Sequence, residues 1–201
     1  MGLPQCDIAY YTYSDYLRWP EEVRYELIGG SAYLMAAPNR VHQEILGEIY
    51  YQVRGKLEGK PCRVYIAPFD VRLPNANEAD EHVDTVVQPD LLVVCDPTKL
   101  DERGLRGAPE WVVEVLSPTT AAYDQTVKLA AYEYAGVPEV WLIHPTDQIV
   151  TIYRLKEKGY SRPLIYQMQG ILAVTTLPDI GIDWERVRPF MMSILSRISY
   201  N

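Results

Sequence analysis

The 201 residues, 48% hydrophobic and 23% charged, are enough for one sizeable domain over 1–201 and exclude a disordered, fibrous or collagen-like chain. The formal net charge of -8, with a pI near 4.9, argues against binding nucleic acid through a broad basic surface. No apolar stretch approaches the ~20 residues of a membrane span and the start has no signal-peptide pattern, so a cytoplasmic protein without a membrane partner is expected.

In chain order, Tyr13 to Trp19 reads as a short helix with Thr12 or Ser14 as cap and Pro20 behind it. Tyr25 to Ile28, then Gly29-Gly30, then Ala32 to Met35 reads as a hairpin, because the glycine pair supplies positive backbone angles for a tight turn. Asn39 is a cap for the next helix, whose apolar face runs through His42, Ile45, Leu46, Ile49, Tyr50, Val53 and Leu57. Val64 to Leu73 and Val86 to Cys95 read as strands, the second buried on both faces at Leu91-Leu92-Val93-Val94. A loop from Asp96 to Pro109 leads to a third buried strand, Trp111 to Leu116. Thr119 or Thr120 then caps a helix to about Ala135, stopped by Gly136 and Pro138. Val140 to Ile143 is a fourth strand, followed by hairpin-like strands at Ile149 to Leu155 and Tyr160 to Gln167. A helical tail from Trp184 to Ile198 carries Val187, Met191, Ile194, Leu195 and Ile198 on one face. The helix linking Trp111–Leu116 to Val140–Ile143 makes a parallel crossover, so an α/β (α+β) mixed central sheet flanked by helices is expected.

Three cysteines, Cys6, Cys62 and Cys95, are odd in number and lack CxxC spacing, so they read as buried thiols rather than a disulfide frame or zinc ribbon. Residues 66–110 hold 4 basic and 10 acidic groups, most of the negative excess. There Glu78, Asp80, Glu81 and Asp84 read as a solvated acidic loop that could also face a divalent cation. Arg40, Arg54, Lys56, Lys60 and Arg63 around the long helix could form a local basic strip, although a solvated helix face is the commoner meaning of such spacing.

Two carboxylates stand out. Glu114 interrupts an apolar strand, where an ionised carboxylate needs a cation or hydrogen bonds to offset its desolvation. Asp90 opens the strand before it. If these strands form an antiparallel meander, the end of one lies beside the start of the other, and the paired acids need a positive charge between them. Magnesium or manganese suits hard carboxylate oxygens. Asp90 as a turn residue and Glu114 on a solvent face remain the plainer alternatives.

Gln88-Pro89-Asp90 followed by Val113-Glu114-Val115-Leu116-Ser117-Pro118 resembles the PD-(D/E)XK nuclease superfamily. The further run through Asp124, Lys128, Tyr132, Gly136-Val137, Trp141 and Pro145 is similar to its Uma-type restriction endonucleases over roughly residues 12–155, with 156–201 a compatible tail. The resemblance implies a restriction-endonuclease-like fold and a magnesium-dependent endonuclease acting on nucleic acid, with DNA the expected substrate. It implies Asp90, Glu114 and the carbonyl of Val115 as metal ligands. The superfamily's lysine position holds Leu116 here, and in the branch resembled Lys128 takes over; its alternative is an exposed pair with Asp124. Glu26 matches an acidic residue often supplied near the start of the domain, against a surface strand residue. Asp70 is a weaker candidate, His42 reads as a hydrogen-bonded structural histidine, and His82 and His144 have no support as catalytic groups. Leu116 in place of lysine leaves a second reading, a nuclease-fold binding or assembly module without turnover. The apolar tail leaves room for a homodimer.

Overall fold

The computed structural model describes residues 9–20 and 22–188. Helix α1 (Tyr13–Tyr16) starts where Asp15 turns its carboxylate back to accept from the Thr12 N–H at 3.0 Å. Strands β1 (Tyr25–Ile28) and β2 (Ser31–Leu34) form the expected hairpin, with Gly29 and Gly30 at φ 53° and 75°. In α2 (Arg40–Lys56) the Asn39 side chain accepts from His42 N, and the buried face is His42, Ile45, Leu46, Ile49, Gln52 and Val53.

The next two expected strands are each divided between two sheets. Val64 to Leu73 becomes β3 (Arg63–Ile66) and β4 (Val71–Arg72), separated around Pro68. Val86 to Cys95 becomes β5 (Val86–Val87) and β6 (Leu91–Val94), separated at Gln88-Pro89-Asp90. Proline has no N–H to give a ladder, so each strand leaves one sheet there and joins the other. The expected loop at 96–109 contains a small hairpin, β7 (Leu100–Asp101) and β8 (Gly104–Arg106). Strand β9 (Trp111–Val115) follows, then helix α3 (residues 121–135), whose middle, Asp124–Lys128, is a π turn and whose end is Gly136 at φ 82°. Strands β10 (Glu139–His144), β11 (Ile149–Lys156), β12 (Gly159–Tyr160) and β13 (Leu164–Gln167) come next. A hairpin of β14 (Ile171–Ala173) and β15 (Gly181–Asp183) was not expected from the sequence. Residues 184–188 are helical; the remainder of the expected tail helix, including Met191, Ile194, Leu195 and Ile198, lies outside the described residues, as does the homodimer contact resting on it.

The larger sheet runs β12-β11-β10-β9-β6-β3, with β13 also on β11. Strand β6 is antiparallel to β9, and β9 is parallel to β10 across α3, giving the expected mixed sheet flanked by helices. Alternation divides its core into two layers. Leu91, Val93, Trp111, Val113, Val115, Trp141 and Ile143 pack with α2. Leu92, Val94, Val112, Leu116 and Leu142 pack with Tyr132 of α3 and with Val71 and Val87 of the smaller sheet, β2-β1-β5-β4-β8-β7.

Two further expectations are corrected. Cys62 and Cys95 form a disulfide rather than buried thiols. Antiparallel pairing of Arg63 with Val94 sets the two cysteines opposite one another, 3.9 Å apart at Cα, a proximity that sequence spacing does not reveal. Nor is the whole acidic loop left to solvent: Asp80 pairs with the buried Arg72 and, at 3.0 Å, with Arg106. Among the described residues no helix is long and apolar enough to cross a membrane.

Candidate active site

The β6–β9 register pairs Leu91 with Val113, so one step outward it sets Asp90 opposite Glu114. Asp90 Oδ2 accepts from the Val115 N–H at 2.7 Å and stands 2.9 Å from His42 Nε2; the Asp90 N–H is 3.4 Å from Glu114 Oε2. Glu114 points toward α3, and at 2% exposure its carboxylate is buried. Its Oε1 accepts from the Tyr132 hydroxyl and lies 2.8 Å from Lys128 Nζ.

Lys128 is equally buried. Its ammonium bridges Glu114 and, at 3.0 Å, Oε1 of Glu26, with Asp124 Oδ1 at 4.0 Å. Glu26, on β1, also accepts from the Gln88 N–H at 2.7 Å and the Tyr123 hydroxyl at 2.9 Å. The π turn is the local cause of this convergence: Lys128 ends it, and Tyr132, one ordinary turn later, meets the same carboxylate. Asp90, Glu114, Glu26, Asp124 and Lys128 line one cavity of about 540 Å³.

Burial dominates the electrostatics. It pushes the Glu114 carboxyl well above the usual carboxylate range, outweighing the pull of Lys128; Asp90, Asp124 and Glu26 push the same way. Asp124 is raised by burial too. For Lys128 burial acts downward, yet Glu114 and Glu26 hold it well above the ordinary lysine range, so it stays an ammonium. Tyr132 and Tyr123 are raised chiefly by burial and remain neutral donors.

Among the described residues no three His, Cys, Asp or Glu side chains by themselves converge to hold a metal. What the site offers is a pair of carboxylates on neighbouring strands with the Val115 backbone beside them. Among the described residues Glu114 Oε2 has only the long Asp90 contact, so it retains capacity to accept. Carboxylates, a carbonyl and water are the donors a hard divalent cation takes, and the set fits such an ion.

The sequence candidates Asp90, Glu114, Glu26 and Lys128 are therefore together, and Val115 lines the same cavity. Lys128 is not an exposed partner of Asp124, and Glu26 is not a surface residue. Asp70 stands outside the cavity, bound by the Tyr16 hydroxyl at 3.0 Å and Gln88 Nε2 at 2.8 Å. His42 is a hydrogen-bonded histidine as expected, but its partner is Asp90. His82 and His144 do not line the cavity. Asp124, Tyr123 and Tyr132 were not singled out for roles in the site; the available signal was the four-residue spacing of Asp124, Lys128 and Tyr132. The possible basic strip does not border the site as a unit. Arg40 pairs with Glu44, Lys60 with Asp179, Arg63 with nearby carbonyls, and Arg54 and Lys56 line another cavity.

Three comparisons bear on this geometry. The model of the Uma2 family, described as "Putative restriction endonuclease", matches residues 13–185. An uncharacterized protein of Synechocystis sp. is 26% identical over 173 residues, covering 85% of this chain and 86% of that protein. A crystal structure described as a putative nuclease belonging to DUF820, from Anabaena variabilis, superposes with a TM-score of 0.71 at 19% identity, covering 90% of this chain and 98% of the other. That last likeness is one of fold.

Proposed function

The chain belongs to the Uma2 family, and from that premise we propose that it is a divalent-metal-dependent endonuclease hydrolysing phosphodiester bonds in DNA. Asp90, Glu114 and the Val115 carbonyl would hold magnesium, or manganese in its place. The observation that carries this reading is an imbalance of charge: the carboxylates of Glu26, Glu114 and Asp124 lie within 4.0 Å of one ammonium, Lys128, and Asp90 faces Glu114 across the two strands. Buried like charges at such density call for a further cation or for protons.

When bound, the cation supplies Lewis-acid polarisation of the phosphate and a water of lowered pKa. The chain's own groups do the rest. Asp90 is held in place by the Val115 N–H and His42. Glu114 is held by Tyr132 and Lys128. Lys128, kept protonated by two glutamates, is suited to orient an attacking water and to neutralise charge growing on phosphoryl oxygens rather than to accept a proton. Glu26 and Tyr123 fix the direction of that ammonium. Lys128 at the carboxylates also favours this reading over a module without turnover, because it restores the charge that Leu116 lacks.

The test is cleavage of a DNA substrate by the full chain with magnesium, with EDTA, and with magnesium restored. Cleavage that EDTA removes and magnesium returns is expected; cleavage indifferent to EDTA would contradict the proposal.

A further inference from the structure

The cavity that holds the carboxylates has a second wall of different chemistry. It comes from the β1–β2 hairpin and the segment after it: Tyr33, Leu34, Met35, Ala36, Ala37 and Pro38. Leu34 is 70% exposed, a large aliphatic side chain left in water at the lip. Tyr33 lies against Tyr123, ring centroids 4.8 Å apart and tilted by 39°, so an aromatic surface continues toward the floor where Tyr123 meets Glu26. Ser117, Thr119 and Thr120 line the same cavity, the Ser117 hydroxyl bonded to those of Thr119 and Thr120 at 3.0 and 2.9 Å.

The same cavity has few cations to offer a duplex. Arg24 gives its guanidinium to Gln88 at 2.7 and 3.1 Å, and Lys128 is consumed by Glu26 and Glu114. Duplex DNA is held largely by neutralising several phosphates in succession. An unpaired nucleotide is held differently: its exposed base face takes apolar and aromatic surface, and only one or two phosphates need to be met. A base taken from an intact duplex must first be unstacked, whereas one in a single strand, bulge or mismatch is already nearly free. At about 540 Å³ the cavity is in the range of pockets that enclose a small molecule.

Resting on the nuclease reading above, we propose that this cavity takes an unpaired nucleotide, its base against the Tyr33–Leu34–Pro38 wall and its phosphate toward the carboxylates. The substrate class is then single-stranded or locally unpaired DNA, not perfect duplex.

The experiment measures binding and cleavage on the same samples, with fluorescent oligonucleotides of one sequence as single strand, bulged duplex and perfect duplex, in magnesium with the full chain. Single strand and bulge are expected to bind at least about tenfold tighter than duplex, the scale of one or two stacked bases. Single strand alone preferred would assign free single strands as the source, and both preferred would include flipped or bulged sites. Tyr33→Ala and the surface change Leu34→Ser should each weaken single-strand binding by about tenfold, with Tyr33→Phe near wild type. Equal or tighter binding of perfect duplex, or no binding of any oligonucleotide, overturns the inference. Preferred binding without cleavage would sustain it and sink the nuclease reading; metal-dependent cleavage with duplex preferred would do the reverse.

Discussion

Replacing Asp90 by Asn, or Glu114 by Gln, is expected to lower DNA cleavage by at least about 100-fold, since even groups that only support metal ligands are worth 10- to 100-fold. Both changes keep the side-chain shape. The amide oxygen introduced by Asp90→Asn could still accept from the Val115 N–H, and that introduced by Glu114→Gln could still accept from Tyr132 and Lys128, so melting should stay within a few degrees of wild type. What each change removes is one negative charge from the pair facing one another across β6 and β9. Cleavage rates measured beside melting curves separate this from a folding defect. Variants that melt normally and cut at wild-type rate would remove both residues from the proposed chemistry.

The second large effect concerns stability. Lys128→Met takes away the ammonium between Glu26 and Glu114, which are 1% and 2% exposed, and leaves two carboxylates buried together. Breaking a buried pair in this way costs about 3 to 5 kcal/mol. For a chain of 201 residues that corresponds to a fall in Tm of roughly 10 °C at neutral pH. The loss should depend on pH in a definite direction. The folded-state value of Glu114 is already raised by burial, and losing Lys128 raises it further. A carboxyl raised on folding binds its proton more readily in the native state, so stability is greatest below the ordinary glutamate value of about 4.3 and declines as pH rises through the folded value. The gap between Lys128→Met and wild type should therefore narrow toward pH 5 and widen toward pH 8. In wild type the raised lysine runs in its own sense: the stability it contributes is complete below the ordinary lysine value of about 10.4 and is lost only as pH rises above it. Adding Glu114→Gln to Lys128→Met should recover part of the loss at pH 8. Thermal melts across that range decide the matter, and a pH-independent difference of a degree or less would mean that the ammonium is not buried between these acids.

How much of this was readable in the chain itself depended on whether the signal was periodic or tertiary. The offsets from His42 to Val53 gave α2, because a helical face repeats at a spacing any reader can count. The Gly29-Gly30 pair gave its hairpin for a local reason, positive backbone angles. Glu114 announced itself by standing alone among buried residues of β9, and the antiparallel order of β6 and β9 then required Asp90 to be near it. The divided strands were not legible. A proline inside an apolar run says that a ladder is interrupted, not that the chain crosses to another sheet, as it does near Pro68 and Pro89. The fourteen-residue step from Glu114 to Lys128 gave no geometry of its own either; the resemblance supplied the candidate, and the π turn accounts for its reach. Tyr123 and Tyr132 look like core aromatics in sequence, and only their hydroxyl partners distinguish them. The Cys62–Cys95 pairing depends on strand register, which a count of cysteines cannot supply.

Calorimetric titration of magnesium into the 201-residue chain, with Asp90→Asn/Glu114→Gln titrated alongside, addresses the central claim most directly. Saturable binding by wild type that disappears in the double variant is the expected result. No binding by wild type, or equal binding by both proteins, would contradict the assignment of these two acids to a shared cation.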